Sequence, residues 1–197
     1  MEKQRTIAIF DFDGTLTTKD TLLEFIKFTC GKKAFYIGFF LHSPLLILMK
    51  LGIYPNWKAK QKVFSWFFKG MPYTTFAKHG EDFADVINTM TKDKTLAILR
   101  KHQSEGADIY VISASVDEWV RPFCTPLGVK NVIATQIETD SKGILTGRFA
   151  SSNCYGKEKV RRFLEVEPSR SKYDLYAYGD SRGDKEIIFF ADTGFYV

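Results

Sequence analysis

Short apolar runs that end in carboxylate-bearing turns set the rhythm of this chain. Thr6-Ile7-Ala8-Ile9-Phe10 leads straight into Asp11-Phe12-Asp13-Gly14-Thr15, and Leu175-Tyr176-Ala177-Tyr178-Gly179 leads into Asp180-Ser181-Arg182-Gly183-Asp184. Continuous apolar runs of this length read as strands buried on both faces. Asp108 to Ile112 and Asn131 to Thr135 have the same character, and Gly194 to Val197 suggests a last strand. Between the strands the period changes. Asp93 to Glu105 sets Leu96, Leu99 and the stem of Lys101 about one turn apart and closes at Gly106, so a helix is predicted there. Asp117 to Leu127, interrupted by Pro122 and Pro126, is a second helix stopped at Gly128; Lys157 to Glu165 and Asp184 to Phe190 are two more. Gln136 to Phe149 carries a hairpin signal centred on Ser141-Lys142-Gly143. Strands alternating with helices predict an α/β fold, with a mainly parallel sheet covered on both faces.

Residues 18–90 break that alternation. They show no period-two pattern and are rich in helix formers and aromatics. The expected organisation is therefore a core of residues 1–17 and 91–197 with a helical insertion, a cap, at 18–90. Phe35 to Met49 is nearly all apolar, interrupted by His42, Ser43 and Pro44 and flanked by Lys32, Lys33 and Lys50. A spanning helix needs about 18 or more apolar residues in a row, so this stretch reads either as a buried cap helix or as an element dipping into a lipid surface.

Composition sharpens the picture in one place. The chain of 197 residues has a net charge of +5, yet residues 19–80 carry ten lysines against only Asp20 and Glu24. The same stretch holds fourteen of the aromatic side chains. Cores of helical caps and greasy basic surfaces both use such residues. The three cysteines, Cys30, Cys124 and Cys154, fit no disulfide framework or zinc spacing, and a reducing cytoplasm is the expected compartment. Only five apolar-run residues precede Asp11, too few for a secretory leader.

Carboxylates at strand ends are poorly placed for burial and well placed to hold a hard cation. Each polar group taken singly has an ordinary reading: Asp11, Asp13 or Asp184 as turn or helix-cap residues, Ser113 and Ser115 as caps, Lys157 as a solvated lysine. Taken together and in order, they resemble the haloacid dehalogenase superfamily of phosphohydrolases. Its first motif stands as Asp11-Phe12-Asp13-Gly14-Thr15-Leu16-Thr17, its second as Val111-Ile112-Ser113-Ala114-Ser115. The lysine of its third matches Lys157, and its fourth stands as Gly179-Asp180-Ser181-Arg182-Gly183-Asp184. A helical cap between the first two motifs places the likeness near the phosphoserine phosphatase-like and phosphatidylglycerophosphatase C-like members. Asp20 stands where phosphoserine enzymes carry a Glu, and Gly183 where they carry an Asn. Both changes argue against phosphoserine as substrate.

The resemblance implies a Rossmann-like core and a magnesium-dependent phosphatase. In it Asp11 is the nucleophile and forms an aspartyl-phosphate, and Asp13 is the general acid and base. Ser113 with the N–H groups of Ala114 and Ser115 binds phosphoryl oxygens, and Lys157 neutralises charge and lowers the pKa of Asp11. Mg2+ is expected on Asp11, Asp13, Asp180 and Asp184, and Asp20 is expected to read the substrate. The released alcohol is either that of a lipid phosphate such as phosphatidylglycerophosphate, with peripheral membrane contact through the cap, or a small soluble metabolite. A non-catalytic phosphate-binding protein is the reading from another class. No nucleic-acid motif accompanies the lysines, so no nucleic-acid partner is expected.

Overall fold

The computed structural model describes residues 5–197. Strand β1 (Arg5–Phe10) is followed by helices α1 (Thr21–Lys50), α2 (Asn56–Phe68), α3 (Tyr73–Ile87) and α4 (Asp93–Ser104). Then come β2 (Asp108–Val116), α5 (Asp117–Cys124), β3 (Asn131–Thr135), the short strands β4 (Ile137–Thr139) and β5 (Leu145–Phe149), α6 (Lys157–Val166), β6 (Tyr173–Gly179), α7 (Lys185–Phe190) and β7 (Thr193–Tyr196). Five strands form one sheet in the order β3-β2-β1-β6-β7, and every pairing in it is parallel. This is the α/β architecture expected from the pattern.

Strand periodicity sorts the core into two halves. Successive side chains of a strand point to opposite faces. On β1, Ala8 and Phe10 enter the cluster beneath the helical insertion, while Ile7 and Ile9 enter the one that holds Phe163, Leu175 and Ile187. Being buried on both faces is what made β1 read as an unbroken apolar run.

The insertion is anchored by aromatic packing. Phe25 of α1 stacks on Trp119 of α5 at 4.5 Å and meets Phe68, Phe76 and Phe83 at 5.3–5.4 Å. Phe25, Phe35, Phe64, Phe68 and Phe76 are buried, whereas Phe28, Tyr36, Phe39, Phe40, Trp57, Trp66 and Tyr73 are exposed. The aromatics of residues 19–80 therefore divide between a core and a surface. Helix α1 is broken at Gly31, whose φ of 81° and ψ of 158° take the chain out of helical geometry, a conformation glycine adopts without steric cost. Its second half, Lys32 to Lys50, buries only Phe35 and Gly38.

Two further connections position the insertion. Its entry and exit run side by side, with Thr18 N–H donating to Met90 O at 2.7 Å and Lys92 N–H to Leu16 O at 2.8 Å. The β4–β5 hairpin leans on α2 and the turn that follows it. Gly70 N–H donates to Leu145 O at 2.9 Å, Tyr73 N–H to Gly143 O at 2.8 Å, and Phe149 N–H to Gln61 Oε1 at 3.1 Å. Among the described residues no helix is long and apolar enough to cross a membrane.

Candidate active site

The polar strand ends converge at one edge of the sheet. Asp11 follows β1; β2 and β6, the next strands out, flank β1 on opposite sides. Connections leaving a sheet in opposite directions open a crevice at the carboxyl ends of the strands. Asp11, Ser113–Ser115, Asp180 and Asp184 all stand there.

Lys159, not Lys157, is the cation that the fold delivers to this crevice. Its Nζ donates to Asp11 Oδ1, to Asp184 Oδ1 at 2.6 Å and to Ile112 O at 2.9 Å, which uses all three ammonium donors. Lys157 is exposed at the start of α6 and lies in a separate groove with Arg161 and Lys185. Helical phase separates the two lysines. Residues two apart on a helix point roughly 200° apart, so Lys157 and Lys159 cannot share a face. Lys159 is four residues before the buried Phe163, a phase readable in the sequence. Burial alone would lower the Lys159 pKa; Asp11 and Asp184 outweigh it and hold the ammonium above its ordinary value.

Carboxylate oxygens of Asp11, Asp180 and Asp184 lie within 4.8 Å of one another. Fully ionised, three carboxylates beside one ammonium leave two negative charges in surplus. An all-oxygen donor set with that deficit fits a hard divalent cation such as Mg2+. Gly14 makes the approach possible. At its φ of +78° a Cβ would stand 2.2 Å from Asp180 Oδ2. Thr15 Oγ1 lies 3.5 Å from Asp11 Oδ2 and 3.4 Å from Asp180 Oδ1, tying the two loops together. Burial raises the Asp11 pKa to about 7; Lys159 opposes the rise, and Asp184 and Asp13 add to it. The lysine opposing the rise is Lys159 and not the expected Lys157, and desolvation outweighs it. Burial, then Asp184, also raises Asp180.

Asp184 is a buried brace. Its Oδ2 accepts from Ser181 N–H at 3.0 Å and Ser181 Oγ at 2.8 Å, while Oδ1 takes Lys159. Asp13 is half-buried and fixed by three donors: Thr21 N–H at 2.9 Å, Thr21 Oγ1 at 2.6 Å and Ser115 Oγ. Trp119 Nε1 in turn donates to Thr21 Oγ1 at 3.0 Å. Ser113 is buried and its Oγ accepts from Ser115 N–H at 2.9 Å. The sequence ended the strand at Ile112 and offered Ser113 and Ser115 as helix caps; β2 instead runs on to Val116, with a register shift after Ile112, and α5 begins at Asp117. Of the three, Ala114 lines the cavity.

That cavity, about 570 Å³, extends from Asp11 and Asp13 into the helical insertion. Leu22, Ile26, Phe35, Phe39, Leu46 and Met49 supply an apolar wall. Asp20 caps α1 by accepting from Leu23 N–H at 3.1 Å, and it also lines the cavity. Lys60 of α2 reaches across and donates to Ala114 O at 2.8 Å. Sequence reasoning missed Lys60, since nothing local distinguishes it from the other nine lysines of residues 19–80. It missed Thr21 for the same reason: its partners are 8 and 94 residues away.

Comparison with known proteins agrees with this geometry. Residues 8–187 match the family model described as haloacid dehalogenase-like hydrolase. Protein CicA of Caulobacter vibrioides is 31% identical over 193 residues, covering 98% of this chain and 86% of CicA. Histidinol-phosphatase of Neisseria meningitidis is 28% identical over 115 residues, 56% of this chain and 52% of that protein. Among solved structures, a protein of unknown function from Bordetella pertussis Tohama I superposes with a TM-score of 0.82 at 21% identity, covering 96% of this chain and 88% of that one. A phospho-aspartyl intermediate analogue of phosphoserine phosphatase superposes with a TM-score of 0.67 at 18% identity, covering 96% and 84%.

Proposed function

Because the chain belongs to the haloacid dehalogenase-like hydrolases and is a phosphatase among them, we propose that it hydrolyses a phosphate monoester through an aspartyl-phosphate on Asp11. The observation that carries this reading is Lys159 held between Asp11 and Asp184, with Asp180 alongside. We take residues 18–90 as the cap over that site. Asp11, Asp180 and Asp184, with the carbonyl of Asp13, would hold Mg2+, which offsets the charge of a phosphate dianion.

In the first half-reaction an Asp11 carboxylate oxygen bonds to phosphorus as the ester P–O bond breaks. Asp13 passes its proton to the departing alcohol oxygen. In the second half-reaction Asp13 takes a proton from water, the water oxygen bonds to phosphorus, and the Asp11–phosphorus bond breaks to give inorganic phosphate. Thr21 and Ser115 hold the Asp13 carboxyl in place for both transfers. Lys159 stays charged throughout and offsets negative charge beside the reacting centre. Ser113 keeps the β2 end bent around the phosphoryl group, with Ala114 facing it.

The apolar wall of the cavity favours an ester whose alcohol carries a long apolar group, such as a lipid phosphate. A second reading, a small amino-acid-like phosphate, is favoured by one pair alone: Asp20 and Lys60 offer opposite charges to a zwitterionic alcohol. The test is p-nitrophenyl phosphate hydrolysis with Mg2+ and with EDTA, followed by O-phosphoserine against phosphatidylglycerophosphate in detergent. Mg2+-dependent phosphate release that vanishes in Asp11→Asn, and a preference for the lipid, are expected. Full activity of Asp11→Asn refutes the nucleophile; a preference for O-phosphoserine refutes the lipid.

A further inference from the structure

Between Lys33 and Lys50 the second half of α1 carries no charged side chain, and it sets apolar residues on two sides. One side, with Phe35, Phe39, Leu46 and Met49, faces the cavity that contains Asp11. The other side exposes Tyr36, Ile37, Phe40, Leu41, Ile47 and Leu48, from 40% for Leu48 to 79% for Phe40. Their spacing, in pairs one turn or two apart, draws a continuous stripe along a helix. Apolar residues on both sides of a helix call for cover on both, and here the protein covers one.

We infer that this arm, Lys32 to Leu51, docks on the surface of an anionic lipid bilayer, lying flat in the headgroup region with its stripe toward the acyl chains. The inference deepens the phosphatase reading by naming the partner of the same site, because the arm is a wall shared by the cavity and the stripe. Three observations select a bilayer as the occupant. First, both ends of the stripe are basic. Lys32 and Lys33 stand at one end of the stripe and Lys50 at the other, and no Asp or Glu occurs from residue 25 to residue 80. Anionic headgroups meet those ends favourably. A second copy of the chain packed stripe to stripe would bring lysine ends together with no acid to answer them.

Second, His42 and Ser43 bond back to their own helix. His42 Nδ1 lies 2.8 Å from Gly38 O, and Ser43 Oγ donates to Phe40 O at 2.7 Å. Side chains that bond back to their own helix are what an apolar medium requires, since no water is there to take their bonds. Third, the length suits a helix lying in the surface. Tyr36 to Leu51 rises only about 22 Å, short of the roughly 30 Å of a hydrocarbon core.

The protein is seated firmly behind the arm. Gly38 lets it close on α2, where a Cβ would stand 2.4 Å from Phe67 and 2.6 Å from Trp66. The stripe is thus presented by a supported helix.

The experiment is co-sedimentation of the whole protein with vesicles of phosphatidylcholine alone and of phosphatidylcholine mixed with phosphatidylglycerol. The protein is expected to pellet with the anionic vesicles at low salt and to stay in solution with the neutral ones. Phe40→Ser with Leu41→Ser should lower the partition coefficient at least about tenfold. Lys32→Gln with Lys33→Gln should lower it by about fivefold for each charge removed. Neither pair lines the cavity, so p-nitrophenyl phosphate turnover should be unchanged in both. Wild-type protein left in solution with anionic vesicles overturns the inference, as does binding that both double variants retain. A stable dimer of the free protein that Phe40→Ser/Leu41→Ser dissociates also overturns it, by giving the stripe to a second copy. Hydrolysis without vesicle binding defeats the membrane contact and leaves the phosphatase reading standing; vesicle binding without hydrolysis does the reverse.

Discussion

Replacing Lys159 by methionine keeps an unbranched side chain one atom shorter and removes its charge. The wild-type ammonium serves two buried carboxylates and the Ile112 carbonyl, with Lys159 at 3% side-chain exposure and Asp184 at 1%. Removing one partner of such a pair leaves uncompensated charge in a dry site, at about 3–5 kcal/mol. That is a large part of the roughly 5–15 kcal/mol that holds a domain together. Lys157→Met, on the exposed side of the same helix turn, should stay within about 0.5 kcal/mol of wild type. Urea unfolding followed by far-ultraviolet circular dichroism, in EDTA, reads both variants. Adding Mg2+ should narrow the Lys159→Met gap, since a divalent ion bound by Asp11, Asp180 and Asp184 stabilises whatever folded state it binds. Turnover of p-nitrophenyl phosphate should fall about 10²–10³-fold in Lys159→Met and hold in Lys157→Met. Equal losses in the two variants, or a Lys159→Met protein as stable as wild type, would refute the assignment of the site lysine.

Asp13→Asn should cut turnover far more for alkyl phosphates than for p-nitrophenyl phosphate, whose leaving group needs little protonation; equal losses would remove Asp13 from proton transfer. Gly14→Ala should destabilise the fold and weaken Mg2+ binding, measured by calorimetry, because the added Cβ both meets Asp180 and sits at an unfavourable φ. Glu118 gives a pH signature. Burial lifts its pKa from 4.5 to about 7, and its Oε2 has no hydrogen-bond partner. The folded chain therefore holds a proton that the unfolded chain releases between those values, so stability falls as pH rises through about 7. Glu118→Gln should be more stable than wild type above that pH, by about 1–2 kcal/mol after allowing for partial exposure, with the gain gone near pH 4.5. A gain independent of pH would contradict the burial of the charge.

The fold was legible where one physical constraint dominates a segment. Ile7–Phe10 of β1 and Leu175–Tyr178 of β6 lie inside the sheet, so those runs are apolar without interruption, and the turns after them show their carboxylates plainly. α4 and α6 end within a residue of their expected limits because periodicity and stop signals coincide. The site was harder. Lys157 matched by position in a motif, while the side chain that reaches Asp11 is set by helical phase, and phase puts Lys159 beside Phe163 on the inner face. The Ser113–Ser115 segment read as a helix start because small polar residues favour one; parallel pairing with β3 instead carries the strand to Val116. Lys60 and Thr21 gain their meaning only from residues far along the chain.

The hairpin of β4 and β5 bears on how such enzymes can be recombined. A chimera that swaps residues 18–90 alone would sever the Gly70–Leu145, Tyr73–Gly143 and Gln61–Phe149 bonds and strip Phe64 of its ring neighbour Phe149, 5.1 Å away. The transplantable unit is therefore discontinuous: the helices travel with the ribbon that clasps them, or the graft arrives unseated.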